Sequence, residues 1–241
     1  MGFYEEKLLP KITATVDAEM ELPYFKEMLA GTLPIETFKF QCCQDYNYLV
    51  EYARAWTLAM AKCFDYETMK VCYEFVKDTM EWEIPFLRKH WQEVLGIDPD
   101  TMDGTVMANI KRAYTSHEMA RTFEGDLAEQ ITALLPCELV YWQMGTRLVS
   151  LCELPEDHIY RGWMSAYTEE KFVAGCQKLI RVIDKLAEKK TPRELARLEE
   201  IFAIGCNYEY LSWRDMYYKR ETWPLEELFP AKFNTVEKFT F

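Results

Sequence analysis

Apolar residues recur every three or four positions along most of this chain, and no segment alternates cleanly between apolar and polar over five residues. A period near 3.6 predicts amphipathic helices, whereas a period of two would predict strands. The first helix is expected from Tyr4 to Met20, disturbed by Pro10, and a short one opens at Pro23 and closes at Gly31. Another runs from Pro34 to about Lys62. "DYETMKVCYEFVKDTMEWEIPFLRKHWQEVLG" reads as one long helix bent at Pro85, and "IDPDTMDG" as a loop. Two helical blocks are expected between Thr105 and Leu151, broken near Glu124 and Gly125, followed by a short helix in "LPEDHIYRGWMSAY". Thr168 should cap the next helix, which has glutamates in its first turn. "TPRE" from Thr191 is a capping box opening the last helix, which should reach about Lys219. The tail "WPLEELFPAKFNTVEKFTF" is less regular. The expectation is an all-α protein with residues 1–241 in a single domain.

Laid on that period, three helices place reactive groups on their apolar stripes. One stripe is Phe38, Cys42, Asp45, Leu49, Tyr52 and Trp56, another Leu195, Leu198, Phe202, Cys206, Glu209, Trp213 and Met216. The third is Leu134, Cys137, Tyr141, Met144 and Leu148. A carboxylate on such a stripe is expensive without partners. Taken singly, a buried acid more often serves structure, and a lone cysteine on an apolar stripe is usually packing. Two acids and a thiol together suit a pocket for a flat polar heterocycle, stacked on aromatic faces and held by a carboxyl group. Periodicity does not show that the three helices converge.

Composition narrows the classes. About half of the residues are apolar, with 14 Phe, 15 Tyr and 7 Trp, which excludes disorder. A net charge of −12 without a basic cluster excludes nucleic acid as a partner. No apolar run is long enough for a membrane span, and "MGFYEEKLLPK" lacks the apolar core of a secretory signal. The eight cysteines form no C-x-x-C pair, and His90, His117 and His158 are far apart, so neither a disulfide framework nor a zinc site is expected. The compartment read from this is the cytoplasm.

The residue strings carry a resemblance. "AGTLPIETFKFQCCQDYNYLVEYARA", "ALLPCELVYWQMG" and "CNYEYLSWRDMYYKRETWP", together with "YRGWMSAYTEEKF", resemble the motifs of the TenA / thiaminase II family in order and separation, from about Phe25 to Trp223. The resemblance implies a haem-oxygenase-like helical fold, a homotetramer, and a hydrolase needing no metal or organic cofactor. Its substrate would be a small molecule: an aminopyrimidine from thiamin breakdown, or thiamin itself. It implies Cys137 as the nucleophile that adds to the pyrimidine ring, Glu209 as the acid/base and Asp45 as the carboxylate anchoring the aminopyrimidine. Tyr48, Tyr114, Tyr141 and Tyr167 match pocket positions. Hydrogen bonds are expected to set the proton affinity of Asp45. Ser212 stands where the family usually has Phe, which enlarges the pocket, adds a hydroxyl and leaves the choice of heterocycle open. "QCCQ" is unusual ahead of Asp45: Cys42, on the buried stripe, reads as packing with a place beside the site as the alternative, and the role of Cys43 is left open. Haem binding on this fold would need a histidine in the first helix, and none precedes His90. A noncatalytic regulator on the same fold is the alternative from another class.

Overall fold

The computed structural model describes residues 2–218 and Trp223. The described elements are α1 (Leu9–Met20), α2 (Pro23–Leu29), α3 (Ile35–Ala61), α4 (Tyr66–Lys77), α5 (Ile84–Leu95), α6 (Pro99–Gly104), α7 (Asn109–Glu124), α8 (Leu127–Leu151), α9 (Ile159–Ala166), α10 (Glu170–Ala187) and α11 (Pro192–Tyr218). No strand occurs among the described residues. The all-α reading therefore holds. Residue Lys219 and the tail beyond Trp223 lie outside the described residues.

Two prolines in helical runs are accommodated by the same local device. Tyr4–Leu8 and Asp78–Glu83 are widened π-helical turns placed just ahead of Pro10 and Pro85. Leu9 N–H reaches back to Tyr4 and Ile84 N–H to Thr79, one residue further than in an α-helix. Proline has no N–H to give and its ring crowds the preceding turn, so widening that turn removes the conflict. The long helix expected across Asp65–Gly96 is consequently two α-helices joined by a wide turn.

Several local signals act as expected, and two do not. Glu194 accepts from Thr191 N–H at 2.8 Å while its own N–H points to Thr191 Oγ1 at 3.3 Å, the reciprocal capping box. Gly31 and Gly96 adopt φ of 70° and 64° at helix ends, a conformation that costs glycine little. Thr168, by contrast, does not cap α10. Its hydroxyl donates to Ser165 O at 2.8 Å, closing the end of α9 instead. "IDPDTMDG" contains the short helix α6, since extended Asp98 precedes Pro99 at its first position.

The chain divides into two compact units, Met1–Leu33 with Ala120–Arg214, and Pro34–Met119 with Asp215–Phe241. In the first, α8 is the central helix, packed by α1, α9 and α10. Its core includes Ile12, Leu134, Leu148, Ile183 and Phe202, all fully buried. In the second, α3 is the central helix, packed by α4, α5 and α6. Trp56 stacks on Phe75 there, with centroids 4.9 Å apart and planes 20° from parallel. All eight cysteines are free thiols.

Candidate active site

In the first unit, Cys137 follows Pro136 in the interior of α8. Five of the eight cysteines are buried, but Cys137 keeps part of its surface open. A nucleophile must be reachable, so this separates Cys137 from the thiols that only fill core. The proline ring is held by α11: a Cβ on Gly205 would lie 2.6 Å from Pro136 Cγ. Only glycine lets the two helices approach this closely, and the contact fixes the backbone that carries Cys137.

Aromatic rings wall the same region. Tyr141, one turn after Cys137, packs edge-on against Tyr167 (centroids 5.0 Å) and lies tilted against Trp213 at 5.6 Å. Trp163 touches both Tyr167 and Trp213, at 5.1 and 5.7 Å. Tyr24 and Phe25 from α2 complete the ring around Trp213 at 5.1 and 4.9 Å. The close fit of Tyr167 depends on Gly145, where a Cβ would sit 2.6 Å from Tyr167 Cβ. Glu209 lies one turn before Trp213 on α11 and is 1% exposed. Ser212 is buried beside it, with no hydrogen-bond partner for its Oγ. Cys206, a turn below Glu209, is a poor nucleophile: burial pushes its thiol up to about 12.

The second unit gathers Asp45, Tyr48 and Tyr114. Tyr48 and Tyr114 face each other at 5.5 Å, and Tyr52 stacks on Tyr48 at 5.6 Å. The Tyr48 hydroxyl donates to Glu118 Oε1 at 2.6 Å, and the Lys111 ammonium sits 4.8 Å from the centre of the Tyr48 ring. Asp45 differs from its expected state in two respects. The residue is half-buried rather than sealed in the core, although its stripe neighbours Cys42, Leu49 and Tyr52 are buried. No hydrogen bond to it occurs among the described residues. Burial of the carboxyl raises its pKa and the nearby Lys111 opposes the rise, so desolvation and a cation, not hydrogen bonds, set its proton affinity. Cys42 is fully buried and Cys43 nearly so, and burial raises both thiols, as suits packing residues.

The tyrosines, carboxylates and thiol singled out in the sequence thus fall into two groups, one in each unit. A family model described as TENA/THI-4/PQQC matches residues 10–220. The chain belongs to the TENA/THI-4/PQQC family. It is 31% identical over 201 residues to a Bacillus subtilis protein named aminopyrimidine aminohydrolase, covering 83% of this chain and 84% of that one. It superposes on a TenA homologue from P. horikoshii with a TM-score of 0.79 at 25% identity, covering 90% and 99% of the two chains. A Shewanella denitrificans domain of unknown function with a haem-oxygenase-like fold gives 0.71 at 10% identity, covering 96% and 97%. The fold is therefore the haem-oxygenase-like helical one.

Sequence reasoning missed several groups near the residues of each unit. Lys111 and Glu118 lie on α7, where a basic or acidic residue in a mixed helix gives no periodic signal. Gln44, next to Asp45, accepts from Ala108 N–H at 2.7 Å and donates to Val106 O at 3.0 Å, fastening the non-helical stretch before α7. Glu19 carried a signal that was overlooked, since Leu8, Ile12, Val16 and Glu19 form one buried stripe ending in a carboxyl.

The Gly205–Pro136 contact yields a direct test. Gly205→Ala should destabilise the fold by about 1–3 kcal/mol, the usual cost of overpacking a closed contact. Denaturant unfolding measures it. Unchanged stability would mean that the approach of α11 to α8 is not tight.

Proposed function

We propose that this chain is a hydrolase of aminopyrimidines in thiamin salvage, and that it uses Cys137 as a covalent nucleophile. The observation that carries this reading is the first unit's arrangement: a reachable thiol and a buried carboxyl, Glu209, beside aromatic rings gathered on Trp213. Family membership and the name of the Bacillus subtilis relative support the substrate class.

In the proposed reaction the Cys137 thiolate adds to an electron-poor carbon of 4-amino-5-aminomethyl-2-methylpyrimidine, forming a C–S bond and breaking ring aromaticity. The displaced electron pair expels the amine from the exocyclic carbon as Glu209 gives it a proton. Glu209 then takes a proton from water, whose oxygen bonds to that carbon. Elimination of the thiolate restores the ring and leaves the 5-hydroxymethyl product. One carboxyl group serves both proton steps because the first leaves it as the base that the second needs. Asp45 anchors the amino-substituted ring, and Tyr48, Tyr114, Tyr141 and Tyr167 bind it. Thiamin is a second substrate, with the thiazole leaving in place of ammonia. The chain acts as one domain, as a cytoplasmic homotetramer.

A second reading has an observation of its own. The unpartnered hydroxyl of Ser212 favours a heterocycle bearing an extra polar substituent. Incubating the protein with the aminomethylpyrimidine, and separately with thiamin, should release the hydroxymethylpyrimidine. Turnover restricted to a substituted analogue would favour the second reading. Binding without turnover of any of them would point to a noncatalytic regulator.

A further inference from the structure

Helices α1 and α11 lie side by side in the first unit, and their contacts climb both helices in the same direction. Lys11 Nζ bonds Glu199 at 3.1 Å, Thr15 faces the Cys206 thiol, and just past α1 Tyr24 and Phe25 meet Trp213. Between the second and third of these rungs, Glu19 and Glu209 stand at the same level. Glu19 is 0% exposed and neither of its carboxyl oxygens has a hydrogen-bond partner. A leucine would complete the Leu8–Ile12–Val16 stripe without burying a polar group, so packing alone does not explain an acid here.

We propose that Glu19 is a positioning residue for Glu209: the two carboxyls share one proton, and this sharing governs when Glu209 acts as acid and when as base. The role of Glu209 rests on the function proposed above; the shared proton does not. Burial, and then the charge of Glu209, hold the Glu19 carboxyl well above the usual range. The groups facing it are Glu209 and Cys206. Lys11 is engaged with Glu199 lower on the helices, and the cations on the other packed helices, Arg147 of α8 and Lys26 of α2, pair with Asp17 and Glu21 at the surface. Among the described residues no cation lowers the Glu19 carboxyl, and a single proton on it is what relieves its repulsion with Glu209.

Three proteins test this: wild type, Glu19→Gln and Glu19→Met. Infrared spectroscopy of the wild type at neutral pH should show a protonated-carboxyl stretch that both variants lose; its persistence in both would overturn the proposal whether or not any pyrimidine is turned over. Folding takes up this proton, so the stability it confers is complete below the ordinary carboxyl range and falls as pH rises toward the folded-state value. Thermal unfolding of the wild type should thus weaken from acid to alkaline pH more steeply than that of Glu19→Gln. Parallel curves would overturn the idea. In the rate profile, Glu19→Gln should lose the alkaline limb due to the pair. Glu19→Met, which offers no donor to Glu209, should also move the acid limb upward by about one pH unit or more. Coincident profiles in all three proteins would show that Glu19 only fills space.

Discussion

Cys137→Ser should abolish aminopyrimidine turnover, lowering kcat by about 10⁴-fold or more, the scale on which removal of a covalent nucleophile acts. Serine is nearly isosteric, and the site is partly open, so the fold should be unaffected and the thermal midpoint should stay within a degree or two of wild type, a shift of about 0.5 kcal/mol or less. The reason for so large a loss is chemical. A hydroxyl is far less ionised than a thiol near neutral pH and far less nucleophilic toward an electron-poor ring. The other seven cysteines offer no substitute: Cys42, Cys43, Cys72, Cys176 and Cys206 are buried with thiols pushed upward, burial also raises the Cys63 thiol, and Cys152 lies at the far end of α8, about four turns from Cys137. Trapping the substrate adduct by rapid acid quench and mass spectrometry should label the peptide holding Cys137 in wild type and leave it unlabelled in the variant. Near-normal turnover in Cys137→Ser would end the covalent mechanism, although hydrolysis by water attack directed by Glu209 would survive it.

Cys137 stood out only through the family resemblance, but why Asp45 and Glu209 stood out by pattern, and Glu19 did not, has a physical explanation. Helical period shows which face of a helix is apolar, because burial is paid for along a whole stripe. It therefore exposed Asp45 and Glu209 as anomalies on long stripes with many apolar neighbours. Glu19 sits at the last turn of its stripe, where a polar residue usually marks a helix end reaching solvent; only tertiary packing by α11 seals it. Period also does not say how completely a face is covered. Asp45 was placed with the core and is partly open, whereas Ser212, off the main stripe, is buried. Prolines were read as kinks; the widened turns before Pro10 and Pro85 absorb them, a choice of hydrogen-bond register that residue types do not reveal. Long-range features such as the Gly205–Pro136 approach depend on two helices meeting at one level, and no local pattern encodes that.

Glu209→Gln should reduce kcat by about 10²–10⁴-fold, the range of general acid–base catalysis, with little change in KM. Glutamine preserves volume and can still donate or accept a hydrogen bond, so binding in the aromatic wall is kept while proton exchange is lost. The consequence differs between substrates. Expelling ammonia requires a proton on the leaving nitrogen, whereas thiazole leaves thiamin as a neutral molecule, so departure from thiamin should suffer less than departure from the aminomethylpyrimidine. The water step needs the base in either case. A pH–rate profile that keeps its wild-type shape in Glu209→Gln would remove the acid/base role. The double variant Cys137→Ser, Glu209→Gln gives the sharpest reading, because it asks whether the two groups act on one adduct. If the carboxyl protonates and deprotonates only what the thiolate has already attacked, the second substitution adds almost nothing to the first. Additive losses would mean instead that Glu209 acts on substrate independently of the thiol, and that the reaction has a route to product in which no carbon–sulfur bond forms.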